Sequence, residues 1–326
     1  MPTNCCYWQR DAVCRRRPPR YCTPPIRSNY LLSDTVKRPF LSFKQGEIVS
    51  LQHSIEVRTG NRFAFGENWS RFLEVLDDNR IRQAERSICD MLKVESLQGA
   101  RFLDIGSGSG LFSLAARRLG ATVHSFDYDP HSVACTEELK RRYFPDDPYW
   151  HVEQGSALDV DYLRSIGKWD VVYSWGVLHH TGNMSQALAN ASNLVSEGGY
   201  LFIAIYNDQG RASGLWLTVK KAYNRLPSGF RWLILWPAAI RLWGPTTVRD
   251  MFSGRPFHTW RKYSTGSLRG MSPWRDVVDW VGGLPFEVAT PEQIFCFYRD
   301  RGYRLVELKT CAGGHGCNEF LFKRAE

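Results

Sequence analysis

Asp104-Ile105-Gly106-Ser107-Gly108-Ser109-Gly110 sets an acid two residues ahead of three glycines at alternate positions. Glycines so spaced allow positive φ and let a ligand press against bare backbone. Several nucleotide cofactors use such a turn, and details divide them. A dinucleotide fingerprint needs Gly-x-Gly-x-x-Gly, and its third glycine position is Leu111 here. Backbone N–H groups that cradle a pyrophosphate make an acid at Asp104 electrostatically awkward. The acid suits a ligand with a cationic end, such as the sulfonium and α-amino groups of S-adenosylmethionine. Gly106, Ser107, Gly108 and Gly110 would then lie along that ligand.

Further candidates follow in order. Asp127 lies 21 residues after Gly106, where an acid ending the neighbouring strand can accept both hydroxyls of a ribose, with Tyr128 beside it. A competing role for Asp127 is a helix cap ahead of Pro130, but Asp129 fits that better. Ser156 and Ala157 sit in the turn after the third strand, where an adenine edge would lie. Ser174, Trp175 and Gly176 end the fourth. His179 and His180 come next, and an imidazole there could take a proton from a hydroxyl as a methyl group arrives. Packing or helix capping would explain either histidine equally well, because methyl transfer from a sulfonium needs mainly in-line positioning. Phe65 and Trp69 in an aromatic cluster, Tyr206, and His315 and Asn318 in a glycine-dense turn are weaker substrate-side candidates. The plain alternatives are a satellite core for the aromatics and ordinary turn chemistry for His315 and Asn318.

These residues need elements to hold them. Apolar runs at 101–105, 121–126, 149–153, 169–174 and 199–205 alternate with helix-like stretches at 110–119, 131–143 and 184–195, with Gly120 and Gly198-Gly199 as stops. That rhythm calls for a doubly wound, mostly parallel sheet with helices on both faces. Thr290-Pro291-Glu292-Gln293 opens a last helix, and 303–309 and 318–323 alternate as an antiparallel hairpin at the sheet edge. The expected organisation is a disordered basic tail over 1–40, a helical lead-in and cap over 41–100, and a cofactor-binding core over 101–206. A Trp-rich helical insertion over 207–288 would lid the substrate, and 289–326 would complete the core. Seven of the twelve tryptophans fall in that insertion, as core or pocket lining, and Pro227, Pro237, Pro245 and Pro256 should interrupt its helices.

Composition bounds the rest. Of a net charge of +9, residues 1–40 carry +6 and the other 286 only +3, so the body is not built for a polyanion. The nine cysteines include no Cys-x-x-Cys pair, so neither zinc nor any other metal is expected. Cys311 and Cys317 could pair, but reduced thiols suit a chain read as cytoplasmic. No run of eighteen apolar residues suggests a membrane span.

Residues 101–205 resemble a class I S-adenosylmethionine-dependent methyltransferase. Asp104 to Gly110 resembles the first motif, Asp127 the ribose acid, and Trp169-Asp170-Val171-Val172-Tyr173-Ser174-Trp175-Gly176-Val177-Leu178-His179-His180 the fourth motif. Within that family the chain looks most like the ubiquinone-biosynthesis O-methyltransferase type. The resemblance implies a seven-stranded Rossmann-like sheet with an antiparallel last strand, and S-adenosylmethionine as cofactor. It implies a small-molecule acceptor, with O-methylation favoured over N or C. The Asn/Asp-Pro-Pro-Tyr and Pro-Cys signatures of nucleic-acid methylating enzymes are absent, which disfavours nucleic acid. Rival readings are an NAD-dependent dehydrogenase or epimerase and a non-catalytic S-adenosylmethionine-binding protein. Oligomeric state stays open.

Overall fold

A computed structural model describes residues 45–266 and 273–326; the tail expected over 1–40 lies outside the described residues. The described residues open with helices α1 (Gln45–Arg58), α2 (Gly66–Phe72) and α3 (Asp78–Leu92). In α3, Asp77 caps the first turn by accepting from the Arg80 N–H, and Ile81, Ala84, Ile88 and Leu92 make a buried stripe at helical spacing. The alternating part follows as β1 (Arg101–Ile105), α4 (Leu111–Arg118), β2 (Thr122–Asp127), α5 (Pro130–Tyr143), β3 (Trp150–Gln154), α6 (Val160–Ile166), β4 (Trp169–Trp175), α7 (Met184–Asn193) and β5 (Val195–Tyr206). Next come α8 (Arg211–Arg225), α9 (Trp232–Phe252), α10 (His258–Gly266) and α11 (Pro273–Gly282). α12 (Pro291–Arg299), β6 (Tyr303–Lys309) and β7 (Cys317–Arg324) end the chain.

The seven strands order as β3-β2-β1-β4-β5-β7-β6. All neighbours from β3 to β5 are parallel, and β7 pairs antiparallel with both β5 and β6. Strand order reverses beside β1, so the carboxyl ends of β1 and β4 flank the crevice where an open α/β sheet receives a ligand. Apolar side chains cover both faces. Leu163, Leu188, Ile294 and Tyr298 from α6, α7 and α12 pack on one face. Ile88, Leu114 and Leu139 from α3, α4 and α5 pack on the other.

Several details depart from expectation. The strand expected over 199–205 begins at Val195 and runs through Gly198 and Gly199, which therefore do not stop a helix. A register shift between Trp169 and Val171, with Gly198 at φ +70, lets that strand absorb the bend. Pro237 and Pro245 do not break the chain into shorter helices: both lie inside the 21-residue α9. Each frees the carbonyl four residues earlier, at Leu233 and Arg241, and both of those residues are exposed, so water can serve it. The tryptophans of this region do not share one fate. Trp216 is buried with Tyr223 and Val281 in a third core, while Trp232 and Trp236 are 55% and 57% exposed. The described residues, 45–266 and 273–326, fall in one compact unit by their contacts. Among the described residues no helix is long and apolar enough to cross a membrane.

Candidate functional site

The turn after β1 is held from both sides. Gly106 and Ser107 donate their N–H groups to the Phe126 carbonyl at 2.8 and 3.1 Å, which locks the turn to the end of β2. Gly106, Gly108 and Gly110 have φ of +77, +57 and +80, the left-handed region that L side chains avoid. A Cβ on Gly106 would also overlap the Val177 isopropyl group, and one on Gly110 would press on the backbone of Thr136 in α5. The Gly108 N–H donates to Asp127 Oδ2 at 2.9 Å, and the Asp129 N–H to Asp127 Oδ1 at 2.9 Å. Burial and the neighbouring Asp129 push the Asp127 carboxyl up to about 7, against those two donors. Asp129 caps α5 through the His131 N–H at 2.9 Å and accepts from the Gly66 N–H at 2.8 Å, which ties α2 to the same corner.

A cavity of about 1110 Å³ opens at this edge of the sheet. Of the residues singled out by sequence, Gly106, Gly108, Asp127, Tyr128, Ser156 and Ala157 share its wall. So do Trp175, Gly176 and His180, and, from the aromatic and turn candidates, Phe65, Trp69, Tyr206 and His315. Trp69 lies over Gly108, where a Cβ would meet its indole at 3.1 Å. The Trp175 indole N–H donates to Glu319 Oε1 at 3.1 Å, fixing the ring from the last strand. The His180 Nδ1 lies 2.5 Å from the Pro285 carbonyl oxygen. A carbonyl only accepts, so Nδ1 carries the proton and Nε2 is the basic nitrogen of the neutral ring.

The remaining sequence candidates fall behind the wall. Asp104 is 2% exposed and accepts from Ser113 Oγ at 2.5 Å. Ser113 in turn accepts from Ser125 Oγ at 2.7 Å, and Ser125 from the Trp150 indole at 3.0 Å. That polar thread under α4 replaces the cavity-facing position expected for Asp104, whose carboxyl burial raises to about 7. Ser107 pairs its hydroxyl with Thr136 Oγ1 at 2.9 Å, and Ser174 donates to the Ile105 carbonyl at 3.1 Å. Gly110 starts α4. His179 is fully buried, 4.0 Å ring to ring from Tyr206. Asn318 donates to Asn207 Oδ1 at 3.0 Å and accepts from the Cys311 N–H at 3.1 Å, holding the 311–318 turn rather than facing the cavity. No disulfide joins Cys311 and Cys317; the Cys311 thiol donates to the Gly314 carbonyl at 3.3 Å.

Three wall or near-wall groups gave no signal in the sequence. Arg62 bridges Glu56 at 2.6 Å, lies 4.6 Å over the Tyr128 ring and donates to the His180 carbonyl at 2.9 Å. Asp279 on α11 lines the cavity and accepts from the Asn68 amide. Lys220 on α8 is buried behind it, donating to the Trp280 carbonyl and lying 4.6 Å over the Phe286 ring. Burial lowers the Lys220 ammonium to about 7, partly offset by Asp279. Arg62 comes from the link between α1 and α2, and Asp279 and Lys220 from helices α11 and α8, with no local motif around any of them, so only the folded contacts single them out.

A family model described as "Methyltransferase domain" matches residues 76–260. The ubiquinone biosynthesis O-methyltransferase of Brucella ovis is 30% identical over 158 residues, covering 44% of this chain and 58% of the relative. The tRNA U34 carboxymethyltransferase of Pseudomonas aeruginosa is 31% identical over 149 residues, 45% of this chain and 44% of the relative. The chain thus spans less than two thirds of the length of these relatives. The magnesium protoporphyrin IX methyltransferase of Synechocystis, solved with bound SAH, aligns over 84% of this chain and all of its own, at 16% identity and a TM-score of 0.47. With the family model spanning more than half of its residues, the chain belongs to the methyltransferase-domain family, within the class I S-adenosylmethionine-dependent methyltransferases.

Proposed function

We propose that the protein transfers a methyl group from S-adenosylmethionine to the hydroxyl of a small, largely apolar acceptor, with both bound in the cavity above β1 and β4. One observation carries this reading: bare glycine backbone, a carboxylate and an oriented imidazole share one wall. The residues fit the cofactor. Gly106 and Gly108 present backbone that a Cβ would obstruct, and the Asp127 carboxylate can accept from ribose hydroxyls. Ser156 and Ala157 flank the place of the adenine. Asp104 supports the turn from behind instead of touching the ligand, as do Ser107, Gly110 and Ser174. A wall of about 1110 Å³ exceeds the roughly 300–1,000 Å³ of an ordinary single-ligand site, which leaves room for an acceptor beside the cofactor.

When bound, S-adenosylmethionine supplies an electrophilic methyl on a sulfonium. His180 takes the acceptor's hydroxyl proton on Nε2, and the Pro285 carbonyl keeps its tautomer in place. Phe65, Trp69 and Tyr206 exclude water and present apolar faces to the acceptor. The helices of 207–288 act as the lid, through Trp243, Asp279 and Trp280. The modest charge of residues 41–326 and the aromatic lining favour a small molecule over tRNA.

Titration calorimetry tests the reading. Binding of S-adenosylmethionine near micromolar Kd, about −8 kcal/mol, is expected, with methyl transfer to phenolic or enolic acceptors by mass spectrometry. His180→Ala should keep that affinity and lose turnover by about a hundredfold. Binding of NAD but not S-adenosylmethionine would overturn the cofactor. Tight cofactor binding with no transfer to any acceptor class would favour a binding protein, and full turnover in His180→Ala would remove the base.

A further inference from the structure

We propose that His124, His151 and Glu153 form a binding site for a divalent transition metal, zinc above all, at the β2–β3 edge of the sheet. His151 and Glu153 stand two residues apart on β3, and His124 is the register partner of His151 on β2. The period of two in a strand puts all three side chains on one face. His124 Nε2 lies 3.1 Å from Glu153 Oε1, and His151 Nε2 lies 3.3 Å from Glu153 Oε2. One ligand atom from each residue lies within 4.8 Å of the others. Donors about 2.0–2.2 Å from a tetrahedral zinc stand roughly 3.3 Å apart, so the set is close to closed already. Two imidazoles and one carboxylate, with solvent at the fourth position, are a borderline donor set suited to zinc.

The surroundings support a metal over a chance charge cluster. The Tyr162 hydroxyl donates to Glu153 Oε1 at 2.9 Å, so α6 supplies an outer partner that orients the carboxylate. His124 is buried against Trp169 and Tyr162. None of the three lines the large cavity. They are joined to it, however, because Glu153 lies two residues before Gly155. Gly155 donates to the Asp127 carbonyl at 3.0 Å, and the Tyr162 ring occupies the space where its Cβ would be. A metal here clamps the outermost strand β3 to β2 and braces the turn carrying Ser156. The cysteine pattern gives no sign of such a site, since only strand register brings His124 to His151.

The test uses the full chain, tag removed and stripped with chelator, titrated with zinc and separately with cobalt. One zinc per chain should bind, with a rise in Tm, and cobalt should give a tetrahedral spectrum without thiolate charge-transfer absorption. His151→Ala and Glu153→Gln sit at the surface and should fold, as circular dichroism checks, yet lose more than a hundredfold in zinc affinity and the rise in Tm. Tyr162→Phe should lose about ten- to hundredfold. Unchanged zinc affinity in His151→Ala, or thiolate absorption with cobalt, would overturn the assignment. Failure of the parent chain to bind zinc at tens of micromolar would show hydrogen-bonded side chains only. Cofactor binding is read separately by calorimetry, so either result stands apart from the proposed methyl transfer.

Discussion

Asp127 meets two backbone N–H donors, yet its burial and the nearby Asp129 leave the carboxyl at about 7. Ribose hydroxyls donating to it would favour the ionised form, so the bound state should hold fewer protons than the free one. The sign follows: affinity for S-adenosylmethionine should rise as pH climbs from about 6 to 8 and then level, approaching tenfold per unit below the carboxyl's pKa. Asp127→Asn should flatten that rise and weaken binding at pH 8 by about 1.5–3 kcal/mol, the worth of a hydrogen bond to a charged group. Calorimetry at three pH values checks both, and an unchanged slope in the variant would place the proton elsewhere. Asp104 titrates in the same range but faces Ser113, so it affects stability rather than the ligand. Its folded value lies above the usual carboxylate range, so its contribution to stability is largest below about pH 4 and declines as pH rises through 7. From sequence the two acids looked alike, one for each end of a cofactor. Only the serine thread from Asp104 to Trp150 separates them, and two hydroxyls and an indole on three separate elements leave no local pattern to read.

At the scale of the element, the turn between β1 and α4 carries the most consequence per residue. Gly106 combines φ +77 with a neighbour, Val177, that fills the space of a Cβ. Gly106→Ala should therefore cost about 2–4 kcal/mol, part backbone strain and part overlap. Adding Val177→Ala should recover the overlap and leave about 1–2 kcal/mol. Urea unfolding of both variants checks this; equal losses would mean the valine is not what the glycine makes room for. The turn itself was legible because glycine spacing reports backbone conformation directly. So were the strands and helices of 101–206, whose two hydrophobic periods differ sharply. α9 was not, because a proline rule speaks to helix interiors in general and not to a helix whose freed carbonyls belong to exposed residues. Nor was the early start of β5, where the glycines that suggested a stop absorb a register shift instead.

Across the whole molecule, the cavity is where separate stretches of chain meet. Val49 and His53 come from α1, Gly106 from the turn after β1, Asp127 from the end of β2, and Tyr263 and Asp279 from α10 and α11. The sheet's part of that wall could be read in sequence, because motif and strand end coincide. The parts outside the sheet could not, because Asp279 and Lys220, and Arg62 in the link between α1 and α2, owe their place to how whole helices dock over the sheet edge. A wall so assembled should respond to its ligand as a unit. Binding to the folded state alone stabilises by about 2.7 kcal/mol at a hundredfold excess over Kd, and that gain should be shared by every stretch contributing a wall. Hydrogen exchange with bound S-adenosylhomocysteine should therefore slow in α1 and in α10–α11 as well as in the turn after β1. Helices that line a cavity from outside the sheet belong to the low-stability end of a fold, where ligand contact changes opening most. Slowing confined to 101–176 would mean that the outer helices only border the cofactor site, and the lid assigned to 207–288 would then have to act on the acceptor alone.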